Sequence, residues 1–223
     1  MTQSDHKSEC VILLHGLART YLSMQCMQSA LQKQGYFVAN VNYPSRKLPI
    51  AELATIAIEA GLNKCHQQNL QNIHFATHSL GGILVRQYSE QQVICGLQRV
   101  VMLGPPNQGS EAVDKLKNVP GYTLVNGPAG QQLGTSDDDL PKKLGPVDFE
   151  LGVIAGKRSL NPILSSLLTG QDDGKVAVEN TRVEGMKDFI ILPITHTFMM
   201  RNKQTIRQTL YFLEHGYFDH QNL

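Results

Sequence analysis

The chain has few charged residues and almost no net charge. Charged residues make up 17% of its 223 residues, with 20 Lys plus Arg against 19 Asp plus Glu. The longest run of like charge is the acidic triplet 137–139, so no basic stretch attracts a phosphate backbone, and we expect no nucleic acid partner. The hydrophobic fraction of 41% excludes the composition of a disordered chain and allows a sizeable core.

Long apolar runs are also absent. No stretch of the sequence approaches the roughly 20 apolar residues that a membrane-spanning helix needs. The segment 1–10 is polar where a secretory leader would have its apolar centre. The sequence therefore predicts no integral membrane association and a cytoplasmic protein.

Cysteine is scarce, and the four cysteines are far apart. They form no C-x-x-C pair, and no histidine stands at metal-ligand spacing beside them. This pattern predicts no metal site and four reduced thiols in the core: Cys10, Cys26, Cys65 and Cys95.

What the chain does contain is an alternation of short apolar runs and longer amphipathic segments. This order is typical of repeated strand-helix-strand units and predicts an α/β fold, one domain over residues 1–223, with a mostly parallel sheet of about six strands and helices on both faces. The predicted strands are 11–14, 37–41, 73–77, 99–103, 151–155 and 189–194. The predicted helices are 22–33, 51–68, 80–91 and 201–214.

The segment 105–146 differs from the rest of the chain. It contains six of the ten prolines, several glycines and the acidic triplet, a composition that favours loops and short helices. We expect it to form a short lid or an insertion that shapes a substrate pocket.

A candidate nucleophile lies directly after the third predicted strand, in Thr77-His78-Ser79-Leu80-Gly81-Gly82. A strand, a tight turn and a helix in this order lift a serine hydroxyl out of the carboxyl edge of a sheet. Such a bend needs small flanking residues, which Gly81 provides and Thr77 does not. The alternative is that Ser79 only caps the following helix.

A nucleophilic serine needs a base to take its proton and a third group to orient that base. His196 follows the last predicted strand, and the polar turn 170–176 supplies two carboxylates, Asp172 and Asp173, either of which could reach an imidazole. The alternative for His196 is a capping or packing role.

Acyl transfer also requires two backbone N–H groups that point at the developing oxyanion. The residue after the nucleophile, Leu80, and the residue after His15-Gly16, Leu17, are the candidates. Gly16 lets the backbone turn inward, and we expect His15 to be a structural hydrogen-bonding residue.

With these residues in place, the chain resembles the α/β-hydrolase superfamily, and within it the small bacterial lipase-like and esterase-like serine hydrolases. The resemblance covers residues 10–212 and is carried by the sequences VILLHGLAR (11–19), NYPS (42–45), HSLGG (78–82), GPPNQGS (104–110), DGKV (173–176) and HTFMM (196–200). It implies a serine, acid and histidine triad in that chain order, and it favours Asp173 over Asp172 through the D-x-x-V spacing to Val176. It also implies an eight-stranded sheet in its full form, of which this chain lacks the first strands, and no metal or organic cofactor.

The resemblance implies a serine carboxylesterase whose partner is a small-molecule ester. A short lid predicts a pocket with an open mouth, and we expect it to be lined by Leu17, Tyr43, Leu80 and Met199. It also predicts that the enzyme prefers short- to medium-chain acyl groups. A thioesterase or acyltransferase would use the same triad, and a hydrolase-like protein that only binds a ligand is a further alternative.

Overall fold

A single parallel sheet of six strands organises the protein. The computed structural model describes residues 7–160 and 162–222; residues 1–6, which begin the polar segment 1–10, lie outside the described residues. The strands are β1 Glu9–Leu14, β2 Phe37–Val41, β3 Asn72–His78, β4 Leu97–Leu103, β5 Glu150–Gly156 and β6 Asp188–Leu192. They are arranged in the order β2-β1-β3-β4-β5-β6, and every neighbouring pair is parallel. The predicted fold class is confirmed.

Helices cover both faces of the sheet. The α-helices are α1 Gln25–Lys33, α2 Ile50–His66, α3 Leu80–Ser89, α4 Glu111–Leu116, α5 Tyr122–Gln131, α6 Leu140–Lys143, α7 Pro162–Ser165 and α8 Lys203–His215. The fourth predicted crossover helix begins at Lys203 because the Asn202 side chain accepts hydrogen bonds from the Gln204 and Thr205 amides. Among the described residues, no helix is both long and apolar enough to cross a bilayer.

Alternate residues of the strands point to two separate cores. In β1, Ile12 and Leu14 pack with the apolar faces of α2 and α3, whereas Val11 and Leu13 pack with α1 and α8. The strand is therefore buried on both faces, which is why its sequence is a continuous apolar run rather than an alternating one.

The register of the strands brings their carboxyl ends to one edge of the sheet. Leu14 is paired with Thr77, His78 with Leu103, and Gly156 with Leu192. Because parallel strands place the loops that follow them at the same edge, residues far apart in sequence meet there. This edge contains the residues that follow β1, β3, β4 and β6.

The segment 105–146 contains three short helices, α4, α5 and α6, joined by loops. Two helical turns of α5 are separated by a kink at Gly127, followed by Pro128. The buried guanidinium of Arg86 in α3 holds both ends of the segment, since it donates to the Asn107 carbonyl oxygen at 2.9 Å and to the Leu144 carbonyl oxygen at 2.8 Å.

The prediction of four reduced core thiols was wrong. Cys10 in β1 and Cys65 in α2 are fully buried and form a disulfide, with their Cα atoms 5.8 Å apart, while Cys26 and Cys95 are exposed. The two bonded cysteines are 55 residues apart in sequence and meet only because the crossover helix packs back onto the first strand. Disulfides are typical of proteins outside the reducing cytosol, so this feature does not support the cytoplasmic localisation expected from the sequence.

Candidate active site

Ser79 occupies a strained turn between β3 and α3. Its backbone dihedrals are φ 52° and ψ −119°, a region that glycine adopts readily and other residues avoid. The turn is fixed from both sides, because the Ser79 amide donates to the Leu103 carbonyl oxygen at 2.9 Å and the Gly82 amide donates to the Ser79 carbonyl oxygen at 3.0 Å. The side chain is partly exposed at the carboxyl edge of the sheet.

Two glycines provide the space that this turn needs. A Cβ atom at Gly81 would lie 2.8 Å from the Leu14 carbonyl oxygen, and one at Gly16 would lie 2.7 Å from His78 Nδ1 and 3.3 Å from Ser79 Cβ. Thr77, which departs from the small residue expected on the strand side, is fully buried in β3. The close approach is therefore made by the loop after β1 and by the start of α3.

His196 is paired with Asp173. The His196 Nδ1 atom lies 2.7 Å from Asp173 Oδ2, and both side chains are buried. The other carboxylate oxygen, Oδ1, accepts hydrogen bonds from the Lys175 amide at 3.0 Å and the Val176 amide at 2.9 Å. With Nδ1–H donated to Asp173, the Nε2 atom of the neutral imidazole is left free to accept a proton.

Asp172 points away from this histidine. Its Oδ1 atom accepts a hydrogen bond from the Gly174 amide at 2.7 Å, and its Oδ2 atom accepts one from the Ser165 hydroxyl. Of the two carboxylates in the turn, the structure brings only Asp173 to His196, because the turn positions successive side chains on different sides.

His78, directly before Ser79, supports the histidine loop. Its ring nitrogen Nε2 lies 3.0 Å from the His196 carbonyl oxygen, and the centroids of the two rings are 4.7 Å apart. Burial, followed by the charge of His196, lowers the pKa of His78 well below its usual value, so the ring is neutral and its Nε2–H donates to that carbonyl group. No role was predicted for His78, although a polar residue at the end of a buried strand is a signal for one.

Ser79 and His196 line the same cavity. Its volume is about 210 Å³, and much of its wall comes from the segment 105–146. Those residues are mostly apolar: Pro106, Ser110, Ala112, Val113, Leu116, Tyr122, Asn126 and Leu133. The predicted insertion therefore forms one side of a small apolar cavity at the carboxyl edge of the sheet.

Within the part of the chain that the structure describes, neither candidate oxyanion donor has its amide hydrogen-bonded to a protein acceptor. Leu80 is the first residue of α3, and the first amides of a helix have no partner within it. Leu17 lines the cavity, and among the described residues none accepts a hydrogen bond from its amide.

The structure does not bring the two predicted substrate-binding residues, Tyr43 and Met199, into this cavity. Tyr43 is buried, its hydroxyl donates to the His15 carbonyl oxygen, and its ring stacks on the His15 ring at 4.1 Å. Met199 is fully buried next to Gly104, where a Cβ atom would lie 2.9 Å from its sulfur. Met199 lies behind the wall of the cavity, whereas Tyr43 lines a second depression beside Arg46 and Lys47.

Arg86 was also missed by the sequence reasoning. Burial lowers its pKa to about 10, and its guanidinium connects the helix that follows Ser79 to the segment that forms the cavity wall. It is the one charged residue in the sequence LGGILVRQYS of α3. A buried charge is costly unless it is hydrogen-bonded, so a lone charged residue at such a position indicates that buried acceptors surround it.

The chain was compared with known proteins and solved structures. No protein-family model and no curated protein sequence matches it. The Bacillus licheniformis lipase BlEst2 in mature form superposes with a TM-score of 0.68 at 16% identity, over 92% of this chain and 90% of that one. The phospholipase PlaB from Legionella pneumophila gives 0.69 at 18% identity, over 84% of this chain and 53% of that one. Aspergillus fumigatus lipase B gives 0.71 at 13% identity, over 100% of this chain and 58% of that one.

The agreement in topology extends across nearly the whole chain despite the low sequence identities. The chain spans almost the full length of the bacterial lipase but only about half of the phospholipase. The parallel sheet, the strained turn after β3 and the histidine after β6 lie in the order that the resemblance implied. The protein has the α/β-hydrolase fold.

Proposed function

We propose that the protein is a serine carboxylesterase, with Ser79 as the nucleophile, His196 as the general base and Asp173 as the group that orients the histidine. The observation that carries the proposal is the pairing of His196 Nδ1 with a buried carboxylate, beside a cavity that Ser79 also lines. A base that is held in this tautomer can take the serine proton through Nε2.

The reaction proceeds in two steps. His196 accepts the proton of the Ser79 hydroxyl while the oxygen attacks the ester carbonyl carbon, and the alcohol leaves with that proton. His196 then takes a proton from water, which attacks the carbonyl carbon of the acyl-enzyme. The bond to Ser79 breaks, the acid is released, and His196 returns the proton to the Ser79 oxygen. The Leu17 and Leu80 amides stabilise the oxyanion in both steps.

The strain at Ser79 supports the nucleophile role. A non-glycine residue in this region of φ and ψ costs on the order of 1–3 kcal/mol and persists where the surrounding structure fixes it. A serine that only caps a helix needs no such conformation, since capping residues have extended dihedrals.

The size of the cavity supports short acyl groups. Pockets for drug-sized ligands commonly have volumes of about 300–1,000 Å³, whereas this cavity has a volume of about 210 Å³. We therefore expect acetyl to hexanoyl esters to be hydrolysed better than long-chain ones. The lipases and the phospholipase among the solved structures support an ester as the substrate.

The test is hydrolysis of p-nitrophenyl esters of increasing acyl length by the purified protein. Ser79→Ala is expected to lower kcat by roughly 10⁴ to 10⁶. The matched control is Ser89→Ala, at the far end of the same helix, where the serine Oγ has no hydrogen-bond partner among the described residues. If Ser79→Ala retains most of the wild-type activity, the proposal is wrong.

The same assay separates the alternatives. A thioesterase would hydrolyse S-phenyl thiobutyrate in strong preference to phenyl butyrate, and an acyltransferase would form more transfer product than acid when an alcohol acceptor is added. A protein that only binds its ligand would hydrolyse none of these esters.

A further inference from the structure

Two cationic side chains lie at the Ser79 cavity without a carboxylate partner. Arg19 and Lys175 both line it, and its described lining residues include no Asp or Glu. Some cations elsewhere in the chain are paired, for example Lys117, which lies 3.2 Å from Asp139, and Arg99, which lies 2.9 Å from Glu150. Among the described residues, no carboxylate forms an ion pair with either cavity cation.

Arg19 also borders a second, larger depression. This polar groove has a volume of about 550 Å³ and is lined by Arg19, Arg46 and Lys47, again without Asp or Glu among its described lining residues. The whole chain has nearly equal numbers of the two charges. Four cations therefore lie in the cavity and the adjoining groove, and no carboxylate is among the described residues that line either of them.

The two cavity cations are close to the proposed catalytic groups in sequence and in space. Arg19 ends the turn that begins at Gly16 and presents Leu17, with its amide donating to the Gly16 carbonyl oxygen at 3.2 Å. Lys175 follows Asp173 by two residues, and its amide donates to that carboxylate.

The charges at this site repel one another. The Lys175 side chain is exposed. Desolvation by the surrounding protein lowers the pKa of Lys175, the charge of Arg19 lowers it further, and Asp173 acts in the opposite direction. Because Asp173 is already engaged by His196 and two amides, it compensates the two cations only in part. A bound anion would relieve this repulsion.

We propose that the substrate carries an anionic group, a carboxylate or a phosphate, near the ester bond, and that Arg19 and Lys175 bind this group. This inference rests on the proposed esterase function and names the class of ester. The groove with Arg46 and Lys47 would then hold the part of the substrate beyond the anionic group.

The first experiment compares charged and neutral esters of matched shape. Mono-p-nitrophenyl adipate, with a free carboxylate on the acyl side, is compared with its methyl ester; the butyryl ester of glycerol 3-phosphate is compared with butyrylglycerol. The rate with Ser79→Ala is subtracted as background. In at least one pair we expect kcat/KM of the wild type to be about tenfold higher for the anionic ester than for the neutral one, as one partly screened charge pair predicts. The pair that shows this difference identifies the anion as a carboxylate or a phosphate.

Charge variants test the assignment of the residues. Because two cations share the roughly tenfold preference, Arg19→Gln and Lys175→Gln are each expected to lower the ratio of anionic to neutral kcat/KM about threefold, and Arg19→Glu is expected to lower it further. Lys33→Gln, an exposed cation in the last turn of α1 at the opposite edge of the sheet, is expected to leave the ratio unchanged. Equal rates within both pairs for the wild type, or an unchanged ratio in Arg19→Glu, would overturn the inference.

A binding measurement keeps this test separate from that of the esterase. Titration calorimetry of Ser79→Ala with monomethyl adipate and with glycerol 3-phosphate is expected to detect binding that Arg19→Glu abolishes in the same background. Binding without hydrolysis by the wild type would support the anion site and contradict the esterase. Hydrolysis of neutral esters, with no binding of the anions and no preference for anionic esters, would support the esterase and contradict the anion site.

Discussion

Replacing Asp173 with asparagine tests whether its carboxylate determines which ring nitrogen of His196 carries the proton. In the wild type, Oδ1 accepts two backbone amides, at 3.0 Å and 2.9 Å, and Oδ2 lies 2.7 Å from His196 Nδ1. In Asp173→Asn the amide oxygen keeps the two backbone amides, so the NH₂ group faces Nδ1 and donates to it. The proton of the imidazole then moves to Nε2, the atom that must take the serine proton.

This tautomer cannot act as the base, and the expected loss in kcat is about 10⁴-fold, the effect of the corresponding change in a serine protease triad. A loss of this size corresponds to about 5 kcal/mol in activation free energy. The fold is expected to persist, because the turn keeps both of its amide hydrogen bonds.

Asp172→Asn is the matched control. Its Oδ1 atom accepts the Gly174 amide and its Oδ2 atom accepts the Ser165 hydroxyl, and a hydroxyl group can reverse its direction to accept from an NH₂ group. We expect kcat to change by less than about fivefold, since only one neutral contact is rearranged.

The assay is steady-state hydrolysis of a short p-nitrophenyl ester at neutral pH, with circular dichroism and thermal unfolding to verify that both variants are folded. If Asp173→Asn remains within tenfold of the wild type, or if Asp172→Asn loses more activity, the reasoning about the acid is refuted.

Three further predictions concern stability. Ser79→Gly removes the nucleophile and relieves the backbone strain at φ 52°. It is expected to abolish ester hydrolysis and to stabilise the protein by about 1 kcal/mol, which raises Tm by about 2–4 °C. A lower Tm in differential scanning calorimetry would contradict this. The disulfide Cys10–Cys65 closes a loop over a separation of 55 residues, so serine at both positions should cost up to about 4 kcal/mol in urea unfolding. Because both sulfur atoms are buried, the thiols are titrated in the unfolded protein without reductant; only the other two cysteines should react, and four reactive thiols would disprove the bond. Burial, followed by the charges of Arg99 and Lys7, lowers the pKa of His74 to about 4. Below the usual histidine pKa of about 6.5, the folded state therefore binds fewer protons than the unfolded state. Between pH 6.5 and pH 4 the free energy of unfolding should fall by about 3 kcal/mol more in the wild type than in His74→Gln. Equal pH dependences of the free energy of unfolding in the two proteins would refute this.

The parallel sheet and its carboxyl edge could be predicted from the sequence because both depend on local patterns. Continuous apolar runs identify strands buried on both faces, and the amphipathic segments between them identify crossovers. Once the strands are parallel, the residues that follow them meet at one edge. This is why Ser79, His196 and a carboxylate of the turn 170–176 could be proposed as a group despite their separation in sequence, whereas the choice of Asp173 over Asp172 came from the resemblance to a known family.

Details that depend on the packing of side chains could not be predicted in the same way. Tyr43 and Met199 are near the edge in sequence, but the direction of each side chain is set by contacts with His15 and Gly104 that no local pattern reveals. The disulfide likewise depends on how α2 packs on β1.

The central claim is that Ser79 is a nucleophile activated by His196. The most direct measurement is labelling of the native protein with a fluorophosphonate, followed by mass spectrometry of the modified peptide. The account predicts one label per chain, on Ser79, with labelling at least a hundredfold slower in His196→Ala, because the base is lost. Failure to label the folded protein, a label on another serine, or equal labelling in His196→Ala would contradict it.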